Sequence, residues 1–150
     1  MPFEEKITWV NLVAAVVVPI VYVVIMLGRL GQSSAADISY QAPLLIAIGI
    51  GVGLTIVGAI VVSIGTGISA ELRGRDASSE IERKDERDKS IARRGDLIGL
   101  YVACAGIAGV LALVMLEYDY FWIANAIYLS FIVSSVVGSV VKLVAYHRGF

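Results

Sequence analysis

Apolar residues in this chain fall into four long blocks, at about 9–29, 43–69, 97–116 and 121–142, and polar residues gather between them. Within each block the apolar positions do not alternate, nor do they keep to a stripe one helical turn apart. Val13 to Leu27 and Leu44 to Val62 are apolar on all faces apart from one Tyr, one Thr and several Gly. A helix in a water-soluble bundle shows a wet face every three or four residues. A block of ~20 residues without one matches a span across a hydrocarbon core of ~30 Å, where each backbone N–H and C=O must be paired within the segment. The pattern predicts an all-α membrane fold of four transmembrane helices in one integral membrane domain.

The connections order these helices. The link between the third and fourth blocks is a tight turn at Glu117-Tyr118-Asp119-Tyr120, and that between the first two runs only from about Arg29 to Ala42. Short links make antiparallel neighbours. The expected architecture is two helical hairpins, with a charged helical extension before the third span.

Composition agrees: 58% of residues are hydrophobic, 17% are charged, and the mean hydropathy is +0.83. Soluble domains carry ~25% charge. A secreted disulfide scaffold, a nucleic-acid binder with a basic face and an ordinary cytosolic enzyme are excluded.

Charge also orients the chain, because Lys and Arg resist translocation while Asp and Glu matter little. Eleven of the 12 Lys and Arg lie at the termini or between spans two and three, and Arg29 alone lies on the other side. Both termini and the central segment are expected to be cytoplasmic. Tyr40, Tyr118, Tyr120 and Trp122 would mark the outer interface, and Trp9, Tyr101 and Tyr146 the inner one. The first span does not read as a cleaved signal peptide, since its leader holds Glu4, Glu5 and a single Lys6 and its apolar run is too long.

Helices in lipid associate through close backbone approach at small residues. The expected packing positions are Gly49, Gly51, Gly53, Gly58 and Gly65 in span two, Gly106 and Gly109 in span three, and Ser134 and Gly138 in span four. Gly49 and Gly53 form a G-x-x-x-G pair, and Gly51, Gly58 and Gly65 recur every seven residues. Span three adds Gly95, Gly99 and Ala103, and span four adds Ser130. The spacing Gly49-x-Gly51-x-Gly53 is no dinucleotide cradle, because that motif joins a strand to a helix.

Candidate chemistry is sparse. The span cores carry no ionisable residue; Arg29, Lys142, Asn11 and Asn125 lie near span ends and are expected to anchor them. The one His, His147, lies beyond span four, and the one Cys, Cys104, is expected to pack inside span three. No haem pair, multi-histidine metal site, disulfide, CxxC motif or Ser-His-Asp triad can be built within one chain. Neither catalytic residues, nor a metal, nor a cofactor is expected, and the chain reads as a non-enzyme.

Sixteen of the 25 charges lie between Glu71 and Asp96, eight acidic and eight basic. Zero net charge argues against a polybasic patch for nucleic acid or anionic lipid. The order suggests a helix: Ser79 and Glu82 form a capping box, and Glu80–Lys84 and Asp85–Lys89 are acid-to-base pairs at i,i+4. This helix is expected to run into span three, with Gly95 and Gly99 as weak points. Glu82, Asp85 and Asp88 fall near one face, but neighbouring bases compete for them, so an ion-paired face is favoured over a cation site.

Asp85-Glu86-Arg87-Asp88, followed by Ile91, Gly95 and Tyr101, resembles the signature of a family of small, uncharacterised prokaryotic multi-pass membrane proteins, in which a DERD-x-x-I box precedes a span. The resemblance covers about twenty residues. It implies a prokaryotic origin and a plasma-membrane location, carries no activity, and places any shared function in the box. The expected role is an accessory or regulatory subunit docking a protein partner through Asp85, Glu86, Arg87 and Asp88, or a homo-oligomer, in contact with the lipid bilayer and with no nucleic acid. The alternative is a small oligomeric transporter or channel with a path lined by Thr55, Ser63, Thr66, Ser130 and Ser134.

Overall fold

The computed structural model describes residues 3–31, 37–71 and 78–148, with side chains at 4–31, 37–65 and 86–148. These residues form four helices, α1 (Phe3–Leu30), α2 (Gln41–Glu71), α3 (Ser78–Met115) and α4 (Tyr120–Arg148). Each contains a stretch long and apolar enough to cross a membrane. The chain is therefore an all-α, multi-pass membrane protein.

The helices extend beyond the apolar blocks. α3 has 38 residues, about 57 Å at 1.5 Å per residue, so part of it stands outside a core of about 30 Å. It runs unbroken from the charged segment into the third span. The Ser79–Glu82 box, the Glu80–Lys84 pair and the Asp85 side of the Asp85–Lys89 pair involve side chains outside the described ones.

α1 packs on α2 and α3 on α4, the two hairpins that short connections require, and α1 also packs on α4. The helices thus stand in the order α2–α1–α4–α3. The inner pair, α1 and α4, holds most of the buried side chains, whereas α2 is barely covered: 6% of its most apolar stretch is buried, against 28% for α1.

Both connections are fixed locally. After α3 the Glu117 N–H donates to Val114 O and the Tyr118 N–H to Leu113 O, each at 3.1 Å, with Glu117 at φ 54°. This paired closure with a left-handed residue is the Schellman arrangement, usually completed by Gly. Asp119 O then receives the Trp122 and Ile123 N–H groups, starting α4. In the α1–α2 connection, Arg29 Nη1 donates to Ser39 O at 2.8 Å. Arg29 is thereby fastened to the loop it borders.

Next to these turns lies an aromatic core of Tyr22, Met26, Ile38 and Phe121, with Tyr40 and Tyr128 packed against it. Tyr22 meets Tyr128 edge-on at 5.4 Å and Tyr40 meets Phe121 at 5.5 Å, both favourable T-shaped arrangements. Asn125 belongs to this core rather than acting as a simple span anchor. Its Oδ1 accepts from the Tyr22 hydroxyl at 2.8 Å, and its Nδ2 donates to Phe121 O.

Small residues bring α3 and α4 together. A Cβ on Gly138 would stand 3.1 Å from Gly95 O, one on Gly99 would stand 3.2 Å from Ser134 O, and one on Gly106 would stand 2.6 Å from Ser130 Cβ. Ser134 Oγ donates to Gly99 O at 2.7 Å. Gly95 and Gly99, expected as weak points, are instead points of close approach to α4, because the space a side chain needs is occupied by α4, including Lys142 lying across Gly95. In the other hairpin, Gly58 receives Val10 of α1.

The remaining expected packing glycines differ. A Cβ on Gly49, Gly51, Gly53, Gly65 or Gly109 would meet nothing within 4 Å. Within one chain the seven-residue seam of α2 reduces to Gly58, since only at Gly58 of the three does an added side chain meet a neighbour. Cys104, expected inside the packing, is exposed on α3.

Candidate functional site

The ends of α1 and α4 and the juxtamembrane part of α3 meet on the side of the molecule away from the two short turns. In that part of α3 lies Ile91, whose relative exposure of 2% makes it the most deeply buried large side chain among the described residues. The DERD box precedes it by one turn. Glu86 and Arg87 are exposed, Asp88 is half-buried and engaged in a contact of its own, and the Asp85 side chain lies outside the described ones.

Three helices bring charge to this end. Glu4 and Glu5 occupy the first turn of α1, and His147 and Arg148 the last turn of α4, so each helix carries the sign its dipole favours. Glu5 is buried, and its Oε1 lies 4.0 Å from His147 Nδ1, which is also 3.0 Å from Leu143 O. Tyr146 stands within electrostatic reach of Asp88, Glu4, Glu5 and Arg87, which ties the box to both terminal helices. Further along α3, Lys142 Nζ pairs with Asp96 at 2.7 Å. That pair, rather than snorkelling alone, directs Lys142.

This arrangement presents a mixed-charge helical surface on a fixed support. Opposite charges side by side favour a partner with a complementary pattern over simple attraction to a uniformly charged surface. Among the described residues no group of three or more His, Cys, Asp or Glu could hold a metal ion. Of the three carboxylates on one face of the charged helix, Glu82 and Asp85 fall outside the described side chains.

Among the described residues, the hydroxyls considered for a transport path do not lie together within one chain. Ser130 and Ser134 lie in the α3–α4 contact, with Ser130 Oγ donating to Ala126 O. Thr55 faces a groove between α1, α2 and α4, and Ser63 is exposed with its hydroxyl donating to Ala59 O. The Thr66 side chain is outside the described ones. Sequence spacing placed these residues on suitable helices, but the row-like order of the helices separates them.

That groove was not visible in the sequence. It measures 590 Å³ and is lined mostly by apolar residues, with Asn11, Thr55, Tyr128 and Ser135 as its hydroxyl- and amide-bearing members. Its signal was present only indirectly, in a span two rich in glycine with few large partners.

Fold and site together define a four-span integral membrane protein with a charged helical surface at one end. Compared with known protein families, with curated proteins and with solved structures, the chain matches none.

Proposed function

We propose that the protein is a non-enzymatic accessory or regulatory subunit of a prokaryotic plasma membrane, with both termini in the cytoplasm, that docks a protein partner through the DERD box. The observation that carries this reading is the relation between the box and Ile91. Glu86 and Arg87 are exposed about one helical turn before a fully buried side chain, so the charges sit beside a packed anchor. Preorganised charges of this kind give orientation and specificity to a docking event at little cost in ordering.

The test is charge reversal at Arg87 and Asp88 in the full chain, followed by gentle extraction, identification of the co-purifying proteins and measurement of the assembly mass. Docking through the box requires that a protein retained by the native chain is lost from the R87E/D88R variant while the variant keeps its thermal stability. Unchanged retention by a stably folded variant overturns the proposal. The alternative is a small transporter or channel in which oligomerisation encloses the path, and ion or solute flux in proteoliposomes would favour it over docking.

A further inference from the structure

The zero net charge of the charged segment hides a gradient along α3. From Glu80 to Asp88 there are five acids and three bases, whereas from Lys89 to Arg94 there are three bases and no acid. The bases therefore stand nearer the span.

Depth gives this order a consequence. The apolar stretch from Leu97 to Leu116 has twenty residues, about 30 Å at 1.5 Å per residue, which fills a hydrocarbon core and sets its edge at Leu97. The headgroup layer beyond that edge is about 5–8 Å thick. Arg94 and Arg93 stand three and four residues outside the edge, about 5–6 Å, and so within that layer. Asp88 and the acids before it stand about 14 Å or more outside, in water. Asp96 is the one acid of α3 at headgroup depth, and Lys142 of α4 engages it at 2.7 Å.

The faces of the helix agree. Gly95 and Gly99 turn to α4, while Leu97, Ile98, Leu100 and Tyr101 are exposed. At about 100° per residue, Leu97 and Leu100 fall beneath Arg93, and Ile98 and Tyr101 beneath Arg94. Both arginines are exposed, and Arg93 makes no hydrogen bond or ion pair among the described residues. Each arginine thus heads a lipid-facing column, at the level where the phosphate of a lipid lying along that column sits. Guanidinium groups bind phosphate oxygens through paired N–H donors.

We infer that Arg93 and Arg94 bind the phosphodiester of an anionic glycerophospholipid in the leaflet on the side of the chain termini. The ammonium of a zwitterionic headgroup offsets the phosphate charge, so a glycerol headgroup is preferred to a choline one. This inference does not depend on docking through the DERD box, whose charges stand outside the headgroup layer.

Native mass spectrometry of the full chain, delipidated in mild detergent and offered palmitoyl-oleoyl phosphatidylglycerol or palmitoyl-oleoyl phosphatidylcholine in turn, tests it. The native chain is expected to bind the phosphatidylglycerol at least about tenfold more tightly, and Arg93→Gln/Arg94→Gln to lose that preference. Arg83→Gln/Lys84→Gln removes the same charge ten residues, about 15 Å, farther from the bilayer and is expected to keep the preference. Should the double arginine variant fail to fold, Arg93→Gln, at an exposed and unpaired side chain, is expected to lower the preference at least about threefold. Equal binding of the two lipids by the native chain overturns the inference, as does an undiminished preference in the folded glutamine variants of Arg93 and Arg94. An equal loss in Arg83→Gln/Lys84→Gln overturns it too. Displacement of the lipid by inorganic phosphate, but not by chloride at the same ionic strength, would assign the arginines to a free anion and overturn it as well.

Discussion

The Tyr22 hydroxyl of α1 donates to Asn125 Oδ1 of α4 across 2.8 Å, joining the two hairpins by a hydrogen bond in the aromatic core. Interhelical hydrogen bonds in membranes contribute about 0.6 kcal/mol on average and up to about 2 kcal/mol. Tyr22→Phe should therefore lower stability modestly. Asn125→Leu should lower it more, since it also strands the buried Tyr22 hydroxyl and removes the bond to Phe121 O. A double-mutant cycle followed by unfolding in mixed micelles measures the coupling, and additive effects of the two substitutions would refute it.

Gly138 and Gly109 should respond oppositely to the same change. On Gly138 a methyl group meets the Gly95 backbone carbonyl, which cannot rotate away, so Gly138→Ala is expected to cost about 1–3 kcal/mol. On Gly109 the space is open, and Gly109→Ala should be neutral or stabilise by up to about 1 kcal/mol through helix propensity. Thermal unfolding in detergent, compared with the native chain, separates the two.

Glu117 closes α3 in a backbone conformation that costs an L-residue about 1–2 kcal/mol. Glu117→Gly should raise the melting temperature, even though it removes a charge and adds freedom to the unfolded chain. A fall in melting temperature would show that the Glu117 side chain stabilises the turn in another way.

Ile91 anchors the helix that displays the DERD box. Ile91→Ala should cost about 2–5 kcal/mol and expose the start of α3 to limited proteolysis. An Ile91→Val variant, losing one methylene, should lie between the two in both measurements.

The proposed orientation can be read with thiol chemistry once the native Cys104 is replaced by Ala. A membrane-impermeant maleimide added to intact cells should label Glu117→Cys and spare Lys6→Cys until the cells are opened. The reverse pattern would invert the topology.

The number of helices, their membrane-spanning character and their pairing into hairpins were legible in the sequence, because hydrocarbon imposes length and loop length imposes adjacency. The α3–α4 contact was partly legible through Ser130, Ser134 and Gly138 at four-residue steps. The same small-residue rule misjudged α2. A glycine states that a helix can come close and does not state whether a helix arrives, and only Gly58 of its five expected packing positions meets one. Tyr22–Asn125 and Asp96–Lys142 joined residues 103 and 46 positions apart, a distance at which local spacing carries no information. The groove depends on what α2 leaves uncovered, a property of four helices at once.

The order α2–α1–α4–α3 gives the molecule two unequal borders. α3 is joined to α4 by glycine and serine contacts from Gly95 to Gly106, on the border that carries the charged box. α2 has α1 as its main neighbour and keeps most of its apolar surface uncovered, so the opposite border is the one that meets the surrounding membrane most fully.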